Sequence, residues 1–216
     1  MAKLYYRYGA MNSGKSTALL QAAFNYEERG QQVLLAKPLV DTKGDSRIVS
    51  RLGVSREVDI LVARGTDLVA VLDERIAADR ARGADPVACL LVDEAQFLSP
   101  AQVDDLLCIA VERSVPVLAY GIRTDFQTHS FPGSRRLLEI AHSLEELKTI
   151  CRCGRKAMFN GRKAGDDFVF DGAQVAIDGV EVTYESMCPA CYLRAGGRLP
   201  YREERAGWDG AGAPSS

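Results

Sequence analysis

The sequence predicts an α/β protein: a mostly parallel sheet flanked by helices, followed by a small metal-binding β lobe. Three observations carry that prediction. Gly9-Ala10-Met11-Asn12-Ser13-Gly14-Lys15-Ser16 reads G-x-x-x-x-G-K-S between a strand-like run and a helical pattern. Apolar strand-like runs then alternate with helix-length amphipathic segments, the pattern of a parallel sheet with crossover helices. After the last of these, two close cysteine pairs appear, Cys151-Arg152-Cys153 and Cys188-Pro189-Ala190-Cys191.

The first element is Leu4-Tyr5-Tyr6-Arg7-Tyr8, an apolar-aromatic run suited to a strand. The motif after it is a phosphate loop. Gly9 and Gly14 let the backbone turn where a Cβ would clash, and successive N–H groups with the positive end of a helix dipole face phosphate. Lys15 is placed to reach the β- and γ-phosphates of a bound nucleotide, and Ser16 to ligate Mg²⁺. Met11, Asn12, Ser13 and Thr17 complete the nucleotide-binding stretch. Ala18, Leu19, Leu20, Ala22, Ala23 and Phe24 predict a helix that Gly30 and Gln31 end.

Val33-Leu34-Leu35-Ala36 is a buried-type strand. The polar segment 41–57 reads as a loop, beside the phosphate site or simply solvated. Asp59-Ile60-Leu61-Val62 is a short extra strand. From Asp67 to Arg82, apolar residues recur at helical spacing until Gly83 and Pro86.

Val87-Ala88-Cys89-Leu90-Leu91-Val92 is a strand ending in Asp93-Glu94. Asp93 is placed to hold the Mg²⁺ shell. Glu94 lies just past the strand end, where doubly wound sheets put their ligands, and a carboxylate there can accept a proton from an attacking hydroxyl or water. The alternative role for Glu94 is a helix-capping acid. Ser99-Pro100 opens a helix carrying Val103, Leu106, Leu107 and Ile109. Pro116–Tyr120 is the next strand, 134–142 a further helix, and Leu147-Lys148-Thr149-Ile150 a last core strand. Cys89 and Cys108 sit in apolar runs and read as core.

At Cys151 the composition changes. Four thiolates in two close pairs suit one tetrahedral structural Zn²⁺. Strand-like stretches lie between the pairs, at 156–159, 167–170 and 182–184. Arg152, Arg155, Lys156, Arg162 and Lys163 form a basic cluster that reads as a solvated face balancing nearby acids, with a phosphate contact by one member as the alternative. The organisation expected is 1–150 as a P-loop α/β domain, 151–201 as the zinc lobe, and 202–216, rich in Gly, Ala and Ser, as a disordered tail.

The bulk numbers narrow the function. Hydrophobic content of 47% and charged content of 26% are those of an ordinary globular protein. A net charge of −2 disfavours nucleic acid as the main partner. No apolar run reaches the ~20 residues of a membrane span, and no signal-peptide pattern opens the chain. A cytoplasmic protein is expected, which makes metal binding the better reading of clustered cysteines than disulfides.

The order of motifs is itself informative: the phosphate loop, Asp93-Glu94-Ala95-Gln96-Phe97, Gly121-Ile122-Arg123-Thr124-Asp125-Phe126, and then the two cysteine pairs. From about Leu4 to Leu193 it resembles the cytosolic-type (type II) thymidine kinases. The resemblance implies a RecA-like core and a zinc lobe whose lasso loop closes over thymidine. It implies transfer of the γ-phosphate of ATP to thymidine, giving dTMP and ADP, in a homotetramer inhibited by dTTP. On this resemblance Glu94 is the catalytic base, and Met11, Phe126, Phe131 and Tyr184 surround the nucleoside. Val175, Ile177 and Gly179 supply lasso backbone contacts, Asp41 lies near the magnesium, and Arg162 is a basic residue of the zinc lobe. Two departures stand out: the first cysteine pair is C-x-C where many relatives have C-x-x-C, and Lys43 stands where Arg is common. The competing class is a P-loop ATPase whose zinc lobe binds a macromolecule. A GTP-dependent switch ranks lower, because no N-K-x-D stretch is evident.

Overall fold

The computed structural model describes residues 1–39, 46–172, 174 and 182–201. In chain order the first half comprises β1 (Leu4–Tyr8), α1 (Lys15–Glu27), β2 (Gln32–Pro38), β3 (Arg47–Val49), β4 (Ser55–Glu57), β5 (Ile60–Val62), α2 (Leu68–Ala81) and β6 (Val87–Val92). The second half comprises α3 (Pro100–Glu112), β7 (Val117–Gly121), α4 (Pro132–Ile140), β8 (Ser143–Glu146), β9 (Thr149–Ile150), β10 (Lys156–Ala157), β11 (Phe159–Ala164), β12 (Asp167–Val169), β13 (Val182–Met187) and α5 (Pro189–Arg194).

The main sheet has six strands in the order β5-β2-β6-β7-β1-β8, and every pairing in it is parallel. The near-continuous apolar runs of its central strands follow from burial on both faces. Leu4 and Tyr6, Leu34 and Ala36, Leu90 and Val92, and Val117 and Ala119 point to one side. There they meet Leu68 and Leu72 of α2, Val103, Leu106 and Ile109 of α3, and Leu137 of α4. Val33, Leu35, Cys89, Leu91, Leu118 and Tyr120 point to the other side, onto Leu19, Leu20 and Ala23 of α1. The α/β expectation is borne out.

Local signals set the helix ends. Asp67 caps α2 by accepting the Ala70 N–H at 2.9 Å. At α3 the Ser99 side chain accepts from the Gln102 N–H, and the Gln102 side chain accepts in return from the Ser99 N–H, a capping box with Pro100 in the first turn.

Beyond β8 lie a two-stranded antiparallel ribbon, β9–β10, and a three-stranded antiparallel sheet, β12-β11-β13. Strand β11 runs to Ala164, longer than the 156–159 stretch expected, and β10 separates from it at Met158.

Two expectations are corrected. Residues 47–57 are not a plain loop: β3 and β4 pair as an antiparallel hairpin turned at Gly53, which has φ of 84°. Ile48 is its anchor, 1% exposed among Leu19, Leu35 and Leu91. A single buried apolar residue, Ile48, docks this otherwise polar hairpin, so composition concealed it. The last core strand is Ser143–Glu146, not 147–150. As the edge of the sheet it tolerates a polar sequence. Leu147 closes the ladder with its N–H on the Tyr8 carbonyl at 2.7 Å, while Ile150 is 73% exposed. The tail 202–216, and Asp41 and Lys43, lie outside the described residues.

Candidate active site

In an open parallel sheet the strand ends on one edge gather the loops that bind ligands. Here the loops after β1, β6 and β7 leave that edge side by side, with β7 between the other two. Their roots touch: the Gly9 N–H donates to the Gly121 carbonyl at 3.3 Å.

The loop after β1 is compact. A side chain at Gly9 would collide with Ser13 and, at 2.5 Å, with the Leu147 carbonyl oxygen, so only glycine fits. Gly14 sits at the N-cap of α1 in the left-handed region, with φ of 77°, and Asn12 shares that region with φ of 66°. Lys15 lies across its own loop, with Nζ donating to the Ala10 carbonyl at 2.9 Å and to Ser13 Oγ at 3.4 Å. Burial lowers its pKa, against the opposing pull of Glu94 and Asp93. Thr17 follows in the first turn of α1.

From the loop after β6, Asp93 faces this first turn. Ser16 Oγ donates to Asp93 Oδ2 at 3.4 Å. Asp93 is 4% exposed, and its pKa is pushed up to about 6, first by burial and then by the neighbouring Glu94 charge. A buried carboxylate and a hydroxyl side by side form an oxygen donor set of the kind that Mg²⁺ takes. Glu94 adopts a left-handed backbone with φ of 50° and ψ of 36°. Its carboxylate accepts a short hydrogen bond from Gln96 Nε2.

The loop after β7 is stiffened from below. Tyr6 Oη and Ser134 Oγ both donate to the Ile122 carbonyl, at 3.1 and 2.5 Å. Asp125 organises the next turn, accepting from the Gln127 and His129 N–H groups at 2.9 Å each and from Gln174 Nε2 at 3.0 Å. Phe126 is 1% exposed, its ring covered by the Arg162 guanidinium at 3.8 Å and its carbonyl accepting from Tyr192 Oη at 2.7 Å. Phe131 stands edge-on to Phe97, with ring centroids 5.5 Å apart. Among the described residues no ring contact joins Phe126 to Phe131.

The basic cluster is not a single solvated face. Arg162 is buried on Phe126 and donates to the Asp171 carbonyl, while Arg152 pairs with Glu185 and Lys156 with Glu146. Tyr184, on β13, is half-buried, and its carbonyl accepts from Asn12 Nδ2 at 3.5 Å. Val175, Ile177 and Gly179 lie outside the described residues.

Residues that sequence patterns did not single out also reach this region. Arg51, from the β3–β4 hairpin, donates to Asn12 Oδ1. Asn160 and Ser186, from β11 and β13, bond the backbone of Met11. None of these three carries a local signature, because each acts across a long sequence separation.

The four cysteines converge. The sulfurs of Cys151, Cys153, Cys188 and Cys191 all lie within 4.8 Å of one another, and Cys153 Sγ is 3.5 Å from Cys188 Sγ. A tetrahedral ion with bonds of ~2.3 Å needs sulfurs roughly 3.8 Å apart, so the set fits zinc. The C-x-C pair manages the tight turn through Gly154, which has φ of 82° and donates its N–H to the Cys151 carbonyl at 2.8 Å. Cys188 caps α5, accepting from the Cys191 N–H at 3.4 Å, and Arg194 Nη2 donates to Cys191 Sγ at 3.2 Å. Burial pushes the Cys151 thiol up, but N–H donors of Cys153 and Cys188 outweigh it and hold it at about 7.

Comparison with known proteins covers almost the whole of this architecture. The thymidine kinase family profile matches residues 2–192. A thymidine kinase of Ruegeria pomeroyi is 49% identical over 199 residues, spanning 91% of this chain and 96% of the relative. A thymidine kinase of Rhizobium meliloti is 48% identical over 190 residues (87% and 94%), and one of Chromobacterium violaceum 46% over 194 residues (89% and 98%).

Proposed function

The chain belongs to the thymidine kinase family, and on that premise we propose that it transfers the γ-phosphate of ATP to the 5′-hydroxyl of thymidine, giving dTMP and ADP. The family match over residues 2–192 carries this reading. The local geometry supports roles for individual residues. The loop Gly9–Thr17 holds the ATP phosphates against the N-terminus of α1, with Lys15 balancing their charge. Ser16 and Asp93 would hold Mg²⁺, which supplies charge neutralisation on the phosphate oxygens. Glu94 accepts the 5′-hydroxyl proton through the carboxylate oxygen that Gln96 does not use. The nucleoside oxygen then bonds to the γ-phosphorus as the bond to the ADP oxygen breaks.

Met11, Phe126, Phe131 and Tyr184 are proposed to surround thymidine, with backbone groups of Val175, Ile177 and Gly179 reading the base. Because Phe126 lies under Arg162, its contribution is to hold that guanidinium at the pocket wall more than to offer a bare ring face. The four cysteines are proposed to hold one structural Zn²⁺ that does not touch phosphate, because four protein ligands leave no open position. We keep the division into a kinase unit (1–150), a zinc lobe (151–201) and a tail, and propose a cytoplasmic homotetramer subject to dTTP feedback. Among the described residues no helix is long and apolar enough to cross a membrane.

A main-chain frame fitted to the acceptor–donor–acceptor edge of thymine meets two mismatches on cytosine. Each buried group left unpaired costs roughly 1–3 kcal/mol, so discrimination should reach about 10²-fold or more. The test is ADP release with ATP and either nucleoside. A thymidine-dependent rate with kcat/KM at least that far above deoxycytidine is expected. Nucleoside-independent ADP release would instead favour the ATPase class.

A further inference from the structure

Met11, in the middle of the phosphate loop, is gripped at both ends of its backbone by the β11–β13 ribbon. Its N–H donates to Asn160 Oδ1 at 2.7 Å, and its carbonyl accepts a short hydrogen bond from Ser186 Oγ. Asn160 and Ser186 are direct partners in the β11–β13 register and are 2% and 6% exposed. The neighbouring Gly161 leaves no room for a side chain, since a Cβ there would lie 2.5 Å from Met187 Sδ and 2.7 Å from the Phe168 ring. The strand carrying Asn160 is therefore held tightly in place.

The other end of the same amide faces elsewhere. Asn160 Nδ2 donates to the Thr124 carbonyl at 3.0 Å, two residues before Phe126. One buried side chain thus spans the loop after β1 and the loop after β7. At their roots these loops share the Gly9–Gly121 bond, and beyond it Asn160 bridges them. Both ends of the amide are used, so neither loop can move alone without stranding a buried donor or acceptor.

We propose that Asn160, backed by Ser186, is a positioning residue that couples nucleoside binding to phosphate-donor binding. The inference rests on the thymidine kinase reading, which puts the donor phosphates on the first loop and the nucleoside against the second. Asn160 touches no reacting atom. It transmits the placement of the Thr124–Phe126 segment to Met11, and by linkage transmits a change at Met11 back again with equal strength.

The measurement is the Kd of a non-hydrolysable ATP analogue with Mg²⁺, with and without saturating thymidine, by calorimetry. It compares the wild type with Asn160→Ala, Asn160→Asp and Ser186→Ala, each checked for zinc content and melting temperature. In the wild type, thymidine should tighten analogue binding about fivefold or more. Asn160→Ala should bring that ratio to about one. Asn160→Asp keeps an acceptor for Met11 but loses the donor to Thr124, so it should also lose the coupling. Ser186→Ala, which removes one hydroxyl and leaves the bridge standing, should lower the ratio partway, and it decides the question if the Asn160 variants fold poorly. A purely structural role would lower Tm or both affinities while leaving the ratio intact. Folded variants with the full wild-type ratio, or an active wild type with a ratio of one, overturn the inference alone. A wild type that releases no ADP in response to thymidine overturns the functional reading, and the inference with it.

Discussion

Gln96 holds Glu94 by the carboxylate: its Nε2 donates to Glu94 Oε2, while its Oε1 accepts the Ile122 N–H at 3.2 Å. Gln96 is 1% exposed, and a Cβ at Gly121 would lie only 2.7 Å from its Oε1. The acid is thereby fixed to the end of β7 as well as to its own strand. Its left-handed backbone, unusual for glutamate, costs on the order of 1–3 kcal/mol and is kept because surrounding contacts over-determine it. A residue held in this way is suited to receive a proton at a fixed position.

Glu94→Gln is the direct test of that role. The amide keeps the shape and can still bond Gln96, but it cannot accept a proton. General-base catalysis contributes typically ~10²–10⁴-fold, so kcat should fall by about that factor while the KM for ATP changes little. A folded variant with near-normal kcat would remove Glu94 from the chemistry.

The cysteine site makes a prediction about stability, not rate. Four sulfurs within 4.8 Å of one another leave a closed site, so protein purified without chelator should carry about one zinc per chain. Replacing Cys188 by Ser removes a proposed zinc ligand while leaving a hydroxyl that can still cap α5. Zinc content and Tm should both drop, because metal binding and lobe folding are one equilibrium. Elemental analysis decides the point; a cooperatively folded wild type with no bound metal would overturn it.

The parallel sheet was legible because its strands are buried on both faces and therefore read as unbroken apolar runs, as in Val33–Ala36 and Val87–Val92. The Gly9–Ser16 loop and the Asp93-Glu94 pair stood out in the sequence because the chemistry proposed for them needs particular residue types at short, fixed spacings. Asn160 and Ser186 were not, because they act on Met11 from 149 and 175 residues away and nothing beside them in sequence marks the contact. Arg162 was misjudged for a similar reason: it lies in a basic stretch, yet the stack on Phe126 that buries it is a tertiary contact. The 47–57 hairpin hides behind composition, and edge strand β8 behind polar residues that only one neighbour covers.

The last prediction concerns the electrostatic cost of the Asp93 carboxylate. It is 4% exposed beside Glu94, and its pKa is pushed up to about 6, whereas an aspartate in an unfolded chain titrates near ~3.9. Between these values the folded protein holds a proton that the unfolded chain has released. The group therefore favours the fold most below about pH 4, and that contribution is lost as pH rises through about 6. At pH 7.5 the ionised carboxylate should cost roughly 1–3 kcal/mol. Asp93→Asn removes the charge while leaving the Asp93 backbone bond to the Ala36 carbonyl available. In magnesium-free buffer without chelator, which leaves the cysteine site undisturbed, this variant should melt above the wild type at pH 7.5, by about 2–4 °C per kcal/mol for a chain of this size. Near pH 4.5 the difference should shrink, since the wild-type carboxylate is then largely protonated in the fold. The same variant should lose phosphoryl transfer, because the charge that destabilises the metal-free fold is the one proposed to bind Mg²⁺. Calorimetric scans of both proteins at the two pH values check this. An Asn variant less stable than the wild type at pH 7.5, or a difference that does not change with pH, would mean that the fold gains from the Asp93 charge even without a cation beside it.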